Sequence, residues 1–383
     1  MHSKTKNRVA ILGLLGAATV LAQDAPLANN SVSINLPADS PLAVLGFSTG
    51  SSRATPRGMA LMLDLNLSLT LRNISLNRIH GVTLRVVSQE VAAGGVGSVF
   101  QPGLNIGPGE TFPVHINTTL MRPAQMAGPL VQVSLDGVLF QDLSFYGPDQ
   151  MHSRRIMTAS EKEAQRDRTN LKRLLAQGGD PALKNAILQI LARRDSLPRL
   201  EGRIVRGRAV TNMAMGSVAA ERPEEFAFLR WPDSPVELVR GSAMIAGGEA
   251  RSPSIEVRNR SNKPVKYVEL GWVLTDPAGR AYMAGSLPSN GPAFSLPAGG
   301  ATEVRQENIL SFSTHGQPFS IRKMTGFVNQ VEFADGTVWV PNRQNMEEPL
   351  LRQVLEPSAE EERLANLYVT KGLAALVEEL KKY

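Results

Sequence analysis

Leu69-Thr70-Leu71-Arg72-Asn73-Ile74-Ser75 lines up with Ile255-Glu256-Val257-Arg258-Asn259-Arg260-Ser261, and this pair of segments decides how the chain is read. The match runs on without a gap: Ile79 falls on Val265, Val82 on Val268 and Leu84 on Leu270, at a constant offset of 186 residues. Both copies alternate apolar and polar residues, the period of a strand with one face buried. A repeat that keeps its alternation predicts one β-rich module used twice.

The alternation extends outward from each copy. Leu61, Leu63, Leu65, Leu67, Leu69 and Leu71 share one face of a stretch running from Met59 to Leu71. Leucine is a modest strand former, so the period rather than the propensity carries this expectation. Further landmarks recur. Ser40-Pro41 is echoed by Ser234-Pro235, and Leu104-Asn105-Ile106-Gly107-Pro108-Gly109 by Phe294-Ser295-Leu296-Pro297-Ala298-Gly299. Asp136-Gly137 and Asp335-Gly336 both read as tight hairpin turns, because Asp-Gly accepts positive φ. Short strands separated by Gly/Pro turns predict a mainly β chain of two tandem immunoglobulin- or fibronectin-III-like sandwiches. The modules are expected at 31–148 and 233–345.

Between them the period changes. Ser160 with Glu163 has the form of a capping box, followed by Leu171, Leu174 and Leu175 on one helical face. Gly178-Gly179 should stop that helix and Asp180-Pro181 start another, with Leu183, Ile187, Ile190 and Leu191 as its stripe. A helical hairpin is therefore expected over 149–200, a linker over 201–232, and a C-terminal amphipathic helix within 346–383, capped by Ser358 with Glu361.

The second module, with Val257-Arg258-Asn259-Arg260-Ser261, then Val265 to Leu270, then Asp276-Pro277-Ala278-Gly279, resembles the small fibronectin-III-like sandwiches grouped as FxLyD-type domains. The first module shares the strand–Asn–Ser–strand part, but its Ser88-Gln89-Glu90 lacks the Asp-x-x-Gly turn. The resemblance implies an extracytoplasmic accessory or binding role and brings no catalytic residues with it.

The N-terminus has the form of an export signal. Lys4, Lys6 and Arg8 precede an apolar run from Val9 to Leu21, and Val20-Leu21-Ala22 predicts cleavage after residue 22. The run is too short to span a bilayer comfortably, and no later stretch is apolar enough to do so. A secreted or periplasmic protein with no transmembrane span after cleavage is the expectation. Cysteine is absent, which excludes disulfides, thiolate catalysis and Cys-based zinc sites.

No pattern asks for a cofactor, a metal or a catalytic group. Gly46-Phe47-Ser48-Thr49-Gly50 fits the spacing of a nucleophile elbow, but that motif needs a helix after the serine, and a Ser/Gly-rich loop follows instead. Asp64, Asn66 and Ser68 alternate with leucines, as on the outer face of a strand rather than in a calcium loop. His80, His115, His152 and His315 are isolated in sequence. Asn73 and Asn259 each precede a Ser by two residues, which suits a turn as well as a glycosylation acceptor. Trp272 belongs on a core strand face. Trp231, before Pro232, is either a linker anchor or a partner contact.

The formal charge is +6, falling to +3 once the signal is removed. It is concentrated: residues 151–210 hold 14 Lys/Arg against 6 Asp/Glu, leaving the rest of the mature chain mildly acidic. Arg154, Arg155, Arg166, Lys172, Arg173, Arg193 and Arg194, with Trp231, are the candidate partner surface. An envelope protein or an anionic polymer is the expected partner. Nucleic acid is not expected, since interleaved aromatics are lacking. These features point to an exported, non-enzymatic binding or scaffolding protein of a bacterial envelope. A secreted hydrolase or carbohydrate-active enzyme with a site between modules, and a self-assembling homo-oligomeric surface component, are the alternatives.

Overall fold

The computed structural model describes residues 25–90, 94–197, 200–205, 221–288, 294–305, 308–314 and 317–383. The expected signal and its cleavage site, His315, Arg199, Arg206 and Arg208 lie outside them. The chain is mainly β, with one long broken helix and a C-terminal helix. The described residues divide into two compact units: those within 25–74, 84–99 and 109–135 in the first; those within 75–83, 100–108 and 136–383 in the second.

In the first unit the expected leucine strand forms as Ala60–Asn73. Leu63, Leu65, Leu67, Leu69 and Leu71 are all buried, while Asp64 and Asn66 are exposed. It sits centrally, antiparallel to Leu42–Ser48, Arg53–Arg57 and Thr111–Pro123. Ser48 ends a strand and is followed by a turn and another strand, so the Gly46–Gly50 stretch has no elbow geometry. Fully buried Arg122 donates to the carbonyls of Pro129 (2.7 Å) and Met126 (2.6 Å), which fixes the loop after its strand.

In the second unit one sheet runs in the order Glu201–Val205, Ile309–Thr314, Glu249–Asn259, Val236–Ala246, Arg222–Glu225. Another runs Ala227–Phe228, Lys323–Phe333, Val265–Thr275, Ala281–Pro288. Trp272 is buried in their apolar core, edge-on to Phe226 at 4.9 Å.

The two copies of the repeat carry the same bonds. Leu42 N donates to Ser40 Oγ (3.1 Å) and Val236 N to Ser234 Oγ (3.3 Å). Ile74 N donates to Pro41 O and Arg260 N to Pro235 O. Asn73 N donates to Glu110 O and Asn259 N to Gly300 O. Isolated bridges join Ile79 to Ile106 and Val265 to Leu296. Both Asn side chains are buried, at 0% and 1% exposure, which fits the turn reading rather than a glycan acceptor. Asn259 Nδ2 reaches the carbonyls of Lys263 (2.8 Å), Pro297 (3.1 Å) and Leu296 (3.2 Å), and its Oδ1 accepts from Ser261.

One landmark differs from expectation. Asp335-Gly336 is a hairpin turn, with Gly336 at φ +81 and Phe333 N donating to Thr337 O. Asp136-Gly137 is not a turn, because the strand Val131–Phe140 runs straight through it. The counterpart of the later hairpin is Asp142-Leu143-Ser144. Phe140 N donates to Ser144 O, Leu143 sits at φ +65, and Asp142 accepts from Ser144 N as Asp335 does from Thr337 N. A leucine at positive φ is invisible to turn rules built on Gly. Asp136 instead is buried and accepts from Gln150 N (2.9 Å), Met151 N and Ser153 Oγ. Gly137 is required by packing: a Cβ there would lie 2.5 Å from the Phe145 ring.

The long helix α1, Ser153–Ser196, breaks at Gly179 (φ 64, ψ −161), as the Gly-Gly-Asp-Pro run implies. Its start is eight residues earlier than the Ser160 cap implies. Ser160 lies within the helix run rather than capping it, and Asp149 Oδ1 accepts from Arg154 N (2.8 Å) in the capping role. Short helices α2 (Arg343–Met346) and α3 (Pro349–Arg352) lead to α4, Ala359–Lys381. The Ser358/Glu361 capping box forms, but α4 also breaks, at Gly372 (φ 81), so the expected single helix is two segments. Leu171, Leu183, Ile187 and Ile190 of α1 pack with Leu364, Leu376 and Leu380 of α4 in one apolar core.

Candidate functional site

The excess positive charge of α1 is met largely by acidic residues of the same unit. Arg168, 3% exposed, lies between Glu161 Oε1 (2.5 Å) and Glu360 Oε1 (3.2 Å), with its guanidinium 3.9 Å from the Tyr383 ring centre. Arg363 holds the other side of Glu360, at 2.8 Å, and also Glu379. Burial alone would raise the Glu161 carboxyl, but His80 (Nδ1 at 3.0 Å) and Arg168 hold it below the ordinary range. His80 is only 3% exposed and faces this sealed cluster, so it offers no access to a substrate.

The candidate residues divide in two. Arg154 lies under the Gly336 turn, where a Cβ would meet its guanidinium at 2.6 Å. Arg155 stacks on Tyr267 at 3.5 Å and faces Glu332 at 3.6 Å. Burial and the Glu269 carboxylate push the Tyr267 phenol up to about 12. Arg193 pairs with Glu361, and Arg194 with Asp195 and, through a hydrogen bond, Asn366. Trp231 is 6% exposed, donates from Nε1 to Val328 O (3.0 Å) and packs edge-on to Phe327, the anchor of its two readings. Arg155, Arg193 and Trp231 are thus engaged inside the unit, Arg194 is in an exposed pair, and Arg154 shows only its close approach to the Gly336 backbone. Lys172 is half-buried beside Arg173 on the helix.

Arg166 and Arg173 remain on a groove. One wall is the first half of α1 and the other is Val338 to Glu347, bordering a shallow, open groove of about 620 Å³. That size is typical of a small-ligand site. Along α1 the groove residues Lys162, Arg166, Asn170 and Arg173 follow the three-to-four-residue spacing that puts them on one helical face. Their span is about 16 Å at the helical rise. The far wall carries Arg343 and an apolar strip of Trp339, Val340 and Pro341. Four cations thus line the groove against one carboxylate, Glu347.

These cations are not equivalent. Arg166 is fixed by Asp167 (3.0 Å) and by Pro341 O (3.0 Å), tying the two walls together. Arg343 faces Glu361 (3.2 Å) and Asp167 (3.8 Å). Arg173 reaches only the neutral groups of Asn170 (2.9 Å) and Gln177 (3.1 Å), and Lys162 has no carboxylate partner among the described residues. Next to Arg166, burial pushes the Glu163 carboxyl up, with Asp167 and Glu269 adding to it against Arg166. Among the described residues there is no group of three or more His, Asp or Glu placed to hold a metal ion. No described helix is long and apolar enough to cross a membrane.

Lys162, Trp339 and Arg343 were not singled out in the sequence. Lys162 and Arg343 are single charges among many. Trp339 follows the Asp335-Gly336 turn, which gives no hint that its ring borders a groove.

No family model and no curated protein matches the chain. Among solved structures, pT26-6p is 8% identical, with 88% of this chain and 73% of that one covered, at a TM-score of 0.17. Red sea bream transglutaminase is 8% identical over 79% of this chain and 31% of its own, at 0.12. A fucolectin from striped bass (Morone saxatilis) serum is 8% identical over 71% and 84%, at 0.07. Likenesses this slight carry no argument about fold or function.

Proposed function

We propose that this chain is an exported, non-enzymatic binding protein of the bacterial envelope. It is built from a β-sandwich used twice, and it takes an anionic envelope component in the groove between α1 and the segment Val338 to Glu347. One observation carries the reading: in a helical layer whose other arginines are largely neutralised, Lys162 and Arg173 face a groove without acidic partners. Unmatched cations beside an apolar wall attract anions. The repeated hydrogen bonds around Asn73 and Asn259 support a duplicated module, and the fibronectin-III-like resemblance supports a holding rather than a chemical role.

The test is cosedimentation of the mature chain with an envelope fraction of the source cells, at low and high salt. Binding that high salt releases, and that the double variant Lys162→Gln/Arg173→Gln loses, is the expected result. The exposed Lys371→Gln variant should sediment like the parent. Salt-independent sedimentation, or binding indifferent to the double variant, would remove the basis for this function.

A further inference from the structure

We propose that the groove recognises a carboxylated sugar, as a unit of an anionic polysaccharide; this rests on the anion-binding reading above and names its ligand class. Three features of the groove select this chemistry. The first is the strip of Trp339, Val340 and Pro341, an apolar wall against which the C–H face of a pyranose ring can lie. The second is charge without bidentate burial. Lys162 and Arg173 sit at the rim with open donors, suited to carboxylates spaced along a chain. The third is the neutral polar rim. Thr169 and Gln344 are exposed, and Asn170 keeps its Nδ2 donor while its Oδ1 accepts from Arg173. Hydroxyls both donate and accept, and carboxamides and hydroxyls match them on both counts.

An acidic peptide is less well served. Extended peptides gain most from adding to an open strand edge. This groove is walled by a helix on one side, and on the other by the end of a two-residue strand, Val338–Trp339, running into α2. Free phosphate needs only the cations and would leave the Trp339 wall unused.

The experiment is calorimetric titration of the full chain with tri-galacturonic acid, with its neutral galactose counterpart, tri-glutamate and inorganic phosphate as comparators. Tryptophan fluorescence is read in parallel. Trp231 and Trp272 are 6% and 3% exposed, so a ligand-induced change that disappears in Trp339→Phe reports the groove. The expected result is saturable binding of the sugar acid. It should weaken about tenfold in Arg173→Gln or Lys162→Gln, a loss of one charge-assisted contact. The neutral sugar should bind at least tenfold more weakly than the acid. Tri-glutamate or phosphate binding as tightly as the sugar acid, with the same sensitivity to Arg173→Gln, would overturn the sugar assignment and leave the anion site standing. No binding of any anion, or binding unchanged in both charge variants, would overturn the two together.

Discussion

Replacing Arg168 by methionine should be among the most damaging single changes in the helical layer. The side chain is buried and stands between two buried carboxylates, Glu161 and Glu360, at 2.5 and 3.2 Å, under the Tyr383 ring. Methionine keeps most of the volume and removes the charge. Glu360 retains Arg363 at 2.8 Å, so its loss is partial. Among the described residues Glu161 keeps only His80 and Gln165, both at Oε1, while its Oε2 already has no hydrogen-bond partner. Breaking a buried ion pair by removing one member costs about 3–5 kcal/mol. At a urea dependence of about 2 kcal/mol per molar, the midpoint should fall by about 2 M. Urea unfolding followed by the helical circular-dichroism signal measures this. Arg240→Met is the control: its pair with Glu256 is largely exposed, and the loss should stay below about 1 kcal/mol. Arg168→Met/Glu161→Gln should recover part of the loss, because it removes the stranded charge. An Arg168→Met midpoint no lower than that of Arg240→Met would refute the view that this cluster is a buried lock.

The remaining predictions concern packing, acid and the repeat. Gly137→Ala places a methyl 2.5 Å from the Phe145 ring and should cost about 1–3 kcal/mol by denaturant midpoint. Glu161 is held below its ordinary pKa, so its contribution is complete above the ordinary carboxylate range and is lost as the pH falls through the lowered value. Glu161→Gln should therefore flatten the acid limb of a stability–pH curve, and an unchanged limb would contradict the assignment. Asn259→Ala strips three carbonyls and two Ser261 donors of their partner. It should cost about 2 kcal/mol or more, since unsatisfied buried groups cost about 1–3 kcal/mol each. Trp231→Phe should lower stability through loss of the bond to Val328 O and leave envelope binding unchanged, as read by the same cosedimentation.

Much of this architecture was legible because period and turn chemistry are local. The leucine alternation of Ala60–Asn73, the break at Gly179, the Ser358 cap and the Ser40/Ser234 echo each depend on a few neighbouring residues. Asp136 misled because Asp-Gly is a turn signal only where the chain is free to turn. Here the strand continues, and the pair serves a buried carboxylate and a close aromatic contact. The basic segment was legible as charge but not as surface. Whether an arginine faces water depends on residues such as Glu332, Glu360 and Glu361, more than 160 positions away in sequence from Arg155, Arg168 and Arg193. The groove depends on the same long-range pairing, through Arg166 to Pro341 O, and no spacing rule reaches that far.

The most direct measurement is hydrogen exchange of the full chain, with and without an anionic polymer fraction prepared from the envelope of the source cells. Slower exchange confined to peptides covering Lys162 to Arg173 and Val338 to Glu347 is the result predicted by a groove that binds anions. Protection spread over the strands of either unit, or none at these two segments while the polymer is bound, would contradict it.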